Sequence, residues 1–542
     1  MQVDAPFTSG LPVSRPEALD RLGTSMFDVL VVGGGINGAV AALALASHGM
    51  KVGLVEGGDF GSGTSQESSN MVWGGFKYLS SYDLGLVAGL CRSRNRLARA
   101  YPTRVVETRF MAALGEDAPF APWFAALGAN AYWGLGRFRT RRPRHRSPAA
   151  IRRLEPAVST AGVAGGIEYS DYLLVDNDAR FVSEMVLDAE RHGATVANYV
   201  TLEAVELQST GWRAGIHDRV TGERLTVSAR LLVNAAGPHV PVVGALTGST
   251  TSNRLVFSKG VHLIVPQITD SGRILAFFDD DERLFYVLPM GGRSVIGTTD
   301  TRVENPDVVV TNQDIDFLLE QISARLNLSS PLARSDVISE RCGVRSLVIP
   351  PGGADDSRDW TELSRRHAVE VDPGRRIVSV LGGKLSDCLN VGEEVVAAAR
   401  RCGVQPMAPA GAWFGEPGRV DRARFDGWAA SLGVAGEVAA SLWRRQGRRS
   451  TEILDLIAGD PGLGEPMGGL SDLTGAEAMT IARHEKVVHP EDFLRRRTML
   501  ALLHRSVDLA VDPGVRKALE IVCGGGSVDV RSAGQDEARD QS

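Results

Sequence analysis

The chain is poor in cysteine. Its 542 residues hold five, Cys91, Cys342, Cys388, Cys402 and Cys523, and none forms a C-x-x-C pair. An odd number without such pairs argues against a disulfide framework and against a zinc site, so no metal is expected. A long clean apolar run is also lacking. The longest, within residues 36–55, is broken by Asn37, Ser47, His48, Gly49 and Lys51, whereas a bilayer span needs about 20 apolar residues. Residues 1–26 carry Asp4, Pro6 and Pro12 and lack a basic start followed by an apolar stretch, so no signal peptide is expected. Charge of one sign is lacking too. A net charge of −6 gives a nucleic-acid partner no electrostatic support. What remains, 43% apolar and 23% charged residues, is the composition of a globular protein of more than one domain. A cytoplasmic location is expected, with contact at the inner face of a membrane left open.

The most informative stretch runs from Phe27 to Glu56. Phe27–Val32 is a β-branched apolar run of strand length, and Gly33, Gly35 and Gly38 follow in G-x-G-x-x-G spacing. Asn37–His48 reads as an alanine-rich helix, and Lys51–Val55 as a second buried strand ending at Glu56. In a dinucleotide-binding turn the first glycine permits the tight turn. The second lets the pyrophosphate approach, and the third lets helix and strand pack closely. The helix N-terminus offers free N–H groups to phosphate. Glu56 stands where a carboxylate takes a ribose hydroxyl, about 20 residues on. This stretch alone leaves NAD and FAD open.

Further along, Thr64–Asn70 is a hydroxyl-rich loop, and residues 83–100 read as an amphipathic helix. In residues 119–146, Phe120, Trp123, Phe124, Tyr132, Trp133 and Phe138 precede a run of arginines. That pairing suits an anionic membrane interface, and equally a core segment followed by a solvated basic loop. Arg180–His192 reads as a helix, and Val200–Leu207, Trp212–His217 and Leu225–Ser228 as a small meander. Leu231–Val233 is a separate short strand breaking at Asn234-Ala235-Ala236-Gly237-Pro238. Residues 254–300 alternate like antiparallel strands, the expected floor of a substrate pocket. Ile377–Leu381 is a strand into a second glycine turn, Gly382-Gly383-Lys384-Leu385, followed by a helix. Past residue 417 the chain is helical up to Cys523.

Taken in order, these blocks resemble the FAD-dependent glycerol-3-phosphate dehydrogenase family, within the glycine-oxidase-like flavoproteins. The likeness covers about 27 to 505. It rests on Glu56 with Asp59 and Thr64-Ser65-x-x-Ser68-Ser69, on Gly74-Gly75-x-Lys77-Tyr78-Leu79, and on Tyr169-Ser170-Asp171 with Val175–Arg180. It rests also on Asn234–Pro238, Lys259-Gly260-Val261-His262, Gly297–Asp300, Gly343-Val344-Arg345, Gly382–Leu385 and Phe493–Thr498. The resemblance implies an α/β plus α fold: a discontinuous Rossmann-type FAD-binding domain (27–100, 165–245, 370–402), an antiparallel-sheet substrate domain (101–164, 246–369) and a C-terminal all-helical cap domain (415–523). Residues 1–26 are expected to be a flexible arm and 524–542 a disordered tail.

The resemblance also implies that FAD takes a hydride from C2 of sn-glycerol 3-phosphate at its N5, giving dihydroxyacetone phosphate, with electrons passed to a quinone. A homodimer is compatible with it. The implied catalytic residues are His262 as base, Arg345 and Lys384; the implied substrate ligands are Lys77, Tyr78 and Arg365. The implied cofactor residues are Gly33, Gly35, Asn37, Gly38, Glu56, Thr64, Ser65, Ser69, Asn70, Gly237, Gly383, Lys384 and Leu385. Arg345 and Arg365 supply fork-shaped donors for a phosphate dianion, and an unperturbed imidazole has a pKa suited to proton transfer.

Several residues depart from the family's pattern. Trp73 stands for a histidine, Lys77 for an arginine and Ser346 for a proline, and Ser386-Asp387-Cys388-Leu389 for Thr-Thr-Tyr-Arg. They keep open a related polyol phosphate or glyceryl substrate. Oxidation of a C–N bond in an amine or amino acid, and a flavin-binding homologue without activity, are the other readings.

Overall fold

The computed structural model describes residues 13–79, 83–116, 118, 120–278, 284–352, 366–408 and 411–524. Two sheets organise it. In the first, the strands run in the order Ala368–Asp372, Ile377–Leu381, Arg224–Asn234, Met26–Val32, Val52–Val55 and Thr195–Ala197. All neighbours but the outermost, Ala368–Asp372, pair in parallel. Val29, Leu30 and Val31 are fully buried, because helices and a meander cover the sheet's two faces and leave no side for polar residues. The helix Ile36–Ser47 is rich in alanine because it is enclosed: Gly38 to Ala46 are all buried, within one core shared with the helices Asp178–Arg191 and Cys388–Arg401.

The strand Arg224–Asn234 is continuous, where two short strands were expected. Its first half pairs antiparallel with Gly211–Asp218. Its last residues, Leu232 to Asn234, pair in parallel with Ile377–Leu381 along the same edge, while the other edge holds Met26–Val32. The polar residues Ser228 and Arg230 interrupt the apolar pattern without breaking the backbone ladder.

The second sheet has ten strands, mostly antiparallel. Arg254–Pro266 lies at its centre of interest, flanked by Arg293–Gly297 and Ser339–Ile349. Two strands unread in the sequence, Val105–Gly115 and Val163–Leu174, pair with each other in this sheet. The boundary expected at residue 165 therefore needs correcting. Val163–Leu174, and Met71–Val72 paired to it, belong to the second sheet and not to the cofactor-side sheet. Alanine and glycine in FMAALG and VAGGIEYSDYLL weaken the β signal there.

The arm expected at 1–26 is corrected from residue 13 onward, residues 1–12 lying outside the described residues. Arg15–Thr24 is a helix capped by Ser14, with Ala18, Leu19 and Leu22 buried. Arg15 fastens it by pairing with Asp218 and donating to Asn198 O at 3.0 Å. The tail expected at 524–542 lies outside the described residues except Gly524, which caps the last helix.

The C-terminal helices, Arg419–Ser431 through Pro513–Cys523, have their own cores and dock through arginines. Arg497 donates to both Asp59 oxygens at 2.6 and 2.8 Å, and Arg496 donates to one at 2.8 Å. Asp59 lies just beyond the strand Val52–Val55, so the helical region grips the loop after the first β-α-β unit.

Candidate active site

The strand Met26–Val32 delivers the chain into Gly33, whose φ of +105° suits glycine. A Cβ on Gly38 would overlap the Gly33 carbonyl, so helix and turn touch backbone to backbone. Gly35 caps the helix without a side chain. Ser65 Oγ accepts from Ile36 N at 3.0 Å, and Asn37 Nδ2 donates to Gly382 O at 2.9 Å. Three segments far apart in sequence thus meet at one helix N-terminus. Glu56 accepts from Gly34 N at 2.5 Å and Gly58 N at 2.8 Å. Burial raises its pKa against the pull of those two N–H groups. Asn37 Oδ1 is buried with no hydrogen-bond partner among the described residues. A glycine turn, a helix start with no side-chain cap of its own, a buried unpaired acceptor and a strand-end carboxylate fit a dinucleotide.

Other expected cofactor residues lie around this turn with differing tasks. Thr64 Oγ1 donates to Val344 O at 2.8 Å, tying the loop to the second sheet. Ser69 is half-buried and Leu385 packs on the core. Gly237 opens a short turn at positive φ, and Gly383 stands beside His367. The side chain of Asn70 is a fastener here: its Nδ2 donates to Leu174 O and Asp176 O at 3.1 and 2.7 Å, and its Oδ1 accepts from Arg341 at 2.9 Å.

On the second sheet, His262 lies on Arg254–Pro266 opposite Gly297 and Arg341. It is 3% exposed, and a Cβ on Gly297 would strike its ring. Nδ1 is buried with no partner among the described residues. Burial, then the cations of Arg345 and Arg341, hold its pKa well below the usual value, so the imidazole is neutral at pH 7. Arg345 pairs with Asp300 at 3.1 Å and donates to Thr298 Oγ1 at 2.8 Å. Lys384 Nζ donates to Tyr78 OH at 3.3 Å and stands 4.9 Å from that ring's centroid and 5.8 Å from that of Trp73. Lys77 is on the exposed side of the same turn. Arg365 lies outside the described residues.

Sequence reasoning passed over Arg341, four residues before Arg345 on one strand and so on the same face. Fully buried, it reaches Ser68 O, Asn70 Oδ1 and Asp178. It also passed over His367, whose partners come from other elements.

A two-layer arrangement in which a Rossmann-type sheet meets an antiparallel sheet at a double glycine turn defines an FAD-dependent oxidoreductase. The family described as FAD dependent oxidoreductase matches residues 28–368, and the C-terminal domain of alpha-glycerophosphate oxidase matches 410–524. Glycerol-3-phosphate dehydrogenase 2 of Mycobacterium tuberculosis is 31% identical, over 94% of this chain and 87% of the relative. The FAD-complexed glycerol-3-phosphate dehydrogenase of Bacillus halodurans shares the fold with a TM-score of 0.74 at 22% identity, covering 96% of each chain. Glycine oxidase of Geobacillus kaustophilus aligns with a TM-score of 0.53 at 19% identity, over 72% of this chain and all of that one. The chain belongs to the FAD-dependent glycerol-3-phosphate dehydrogenase family.

Proposed function

We propose that this enzyme oxidises the secondary alcohol of sn-glycerol 3-phosphate to dihydroxyacetone phosphate. The observation that carries the reading is a neutral, buried imidazole beside an arginine fork. The two lie on neighbouring strands of a sheet to which Thr64, from the loop after the first β-α-β unit, is tied. When bound, FAD supplies the two-electron acceptor for the hydride lost from C2. Nδ1 of His262, or Nε2 in the other tautomer, takes the hydroxyl proton. Arg345 holds the phosphate in exchange for part of its contact with Asp300, with Lys77 and Tyr78 completing the anion's surroundings. Lys384 stabilises negative charge developing at the substrate oxygen or the ring edge. The dianion cancels the Arg345 cation that helps hold His262 neutral, so substrate binding raises the imidazole's proton affinity.

The expected contact with a membrane finds support in an exposed patch. Trp123, Leu127 and Phe138 are 69%, 60% and 65% exposed, beside exposed Arg137, Arg139, Arg141, Arg142 and Arg144. An anionic lipid surface suits that chemistry, and a quinone acceptor would lie in the same lipid. Among the described residues no helix is long and apolar enough to cross a membrane.

Anaerobic mixing with glycerol 3-phosphate is expected to bleach the flavin absorbance within turnover time. An unchanged spectrum, with bleaching by an amine instead, would overturn the substrate.

A further inference from the structure

A cavity of about 530 Å³ lies between the helix Leu84–Ala100 and the start of the helix Cys388–Arg401. Its polar wall is one hydrogen-bonded network centred on Asp387. One carboxylate oxygen contacts His367 Nδ1 at 2.8 Å. The other accepts from Ser93 Oγ at 2.8 Å and Asn390 Nδ2 at 2.7 Å. His367 Nε2 faces Glu394 at 3.2 Å. An imidazole with a carboxylate at each nitrogen donates from both, which requires the protonated ring.

The network adjoins the second glycine turn. The Cβ of His367 stands 3.2 Å from where a Cβ on Gly383 would be. Asp387 N donates to Lys384 O at 2.9 Å, and Gly382 O is held by Asn37 from the first glycine turn. Gly382 and Lys384 are thus each held by a hydrogen bond at the carbonyl, and Gly383 between them packs closely on His367.

We propose that His367 and Asp387 are a positioning pair for the second glycine turn, holding Gly383 and Lys384 against the bound FAD and making FAD affinity depend on pH. The inference rests on the reading that this turn meets FAD. Burial alone would lower the His367 pKa, but Asp387 and then Glu394 carry it above the usual value. Burial likewise opposes ionisation of Asp387, yet His367, Ser93 and Asn390 hold its pKa low. The charged contact is complete between those two limits; as pH rises through the His367 pKa the ring gives up the Nε2 proton facing Glu394, and the hydrogen bond from Nδ1 to Asp387 persists without its charge. The charges facing the pair are Glu394 and Glu393 on the following helix, Arg92 and Arg96 on the helix Leu84–Ala100, and the neighbouring Arg366. Arg96 is paired with Glu393 and Arg366 with Asp83. Loss of the His367 proton loosens the turn and adds a negative charge near an anionic ligand.

The test is titration of the apoprotein with FAD between pH 6 and pH 9, read by quenching of flavin fluorescence. The Kd of the unmodified protein is expected to rise roughly tenfold across that range, the worth of one charge-assisted hydrogen bond. His367→Gln, which offers Asp387 a neutral donor at every pH and cannot carry the charge, should bind as the unmodified protein does at pH 9 and show no step. Asp387→Asn should bind roughly tenfold more weakly at pH 6 and show no further loss at pH 9. A step that persists in His367→Gln overturns the proposal, as does native affinity in Asp387→Asn; if Asp387→Asn does not fold, His367→Gln decides alone. Tight FAD binding with no pH step overturns the pair while leaving the turn's assignment standing. Native FAD affinity in Gly383→Val would overturn the assignment itself.

Discussion

A methyl group on Gly38 has nowhere to go, because the Gly33 carbonyl occupies its place. Gly38→Ala is expected to cost about 1–3 kcal/mol of stability, measured by denaturant unfolding, and to abolish tight FAD binding. This residue was legible because a steric demand on backbone leaves only one amino acid that fits. His262 was legible as a residue but not as a state, since its burial comes from neighbours across two strands. His262→Asn is expected to lower kcat by roughly 10²–10⁴ with FAD still bound. Because burial and two cations depress its pKa, the acid limb of kcat/KM should lie well below pH 6.5. Removing one cation in Arg345→Leu raises that pKa, so the limb should move to higher pH while KM rises; a limb that stays put would show that His262 is not the titrating base. Arg341 and His367 were illegible because each draws its meaning from partners far away in sequence.

At the scale of elements, the grip of Arg496 and Arg497 on Asp59 couples the C-terminal helices to the loop after the first β-α-β unit. Asp59→Ala removes the carboxylate two buried guanidinium groups share, leaving Arg496 with Asp492 and Glu491 and Arg497 with Glu485, an expected loss of about 3 kcal/mol in unfolding experiments. Burial alone would raise the Asp59 pKa, but Arg497 and Arg496 hold it below the usual carboxylate value. The stabilisation is therefore present above the ordinary carboxylate pKa and disappears as pH falls through the depressed one. Acid should free the helical region in the native protein but not add to the loss in Asp59→Ala. Elements with strong patterns, such as Phe27–Val32 and residues 83–100, could be read directly. Val105–Gly115 and Val163–Leu174 could not, because their alanines and glycines are held in strands by pairing with each other rather than by propensity.

For the whole molecule, the aromatic and basic surface near residues 123–144 is what the proposed membrane contact rests on. Sedimentation with vesicles rich in anionic phospholipid is expected to carry the protein down. Trp123→Ser with Phe138→Ser should leave most of it in solution, with activity on a water-soluble acceptor unchanged. Sedimentation equal to the native protein would remove this face from membrane contact. The exposed aromatics were visible in composition, but which of them face solvent depended on the helix Pro122–Leu135 turning Tyr132 inward and Trp123 outward.

The strand Arg224–Asn234 carries a further consequence, one of timing during synthesis. Its Leu232–Asn234 edge is completed only by Ile377–Leu381, so a growing chain leaves the ribosome with that apolar edge uncovered. At typical elongation rates the wait is on the order of 10 s, long enough for unpaired strand to meet another chain. The nascent protein is thus expected to lean on chaperones during that interval. A stalled product ending before Ile377 should aggregate, while one extended past the helix Cys388–Arg401 should not.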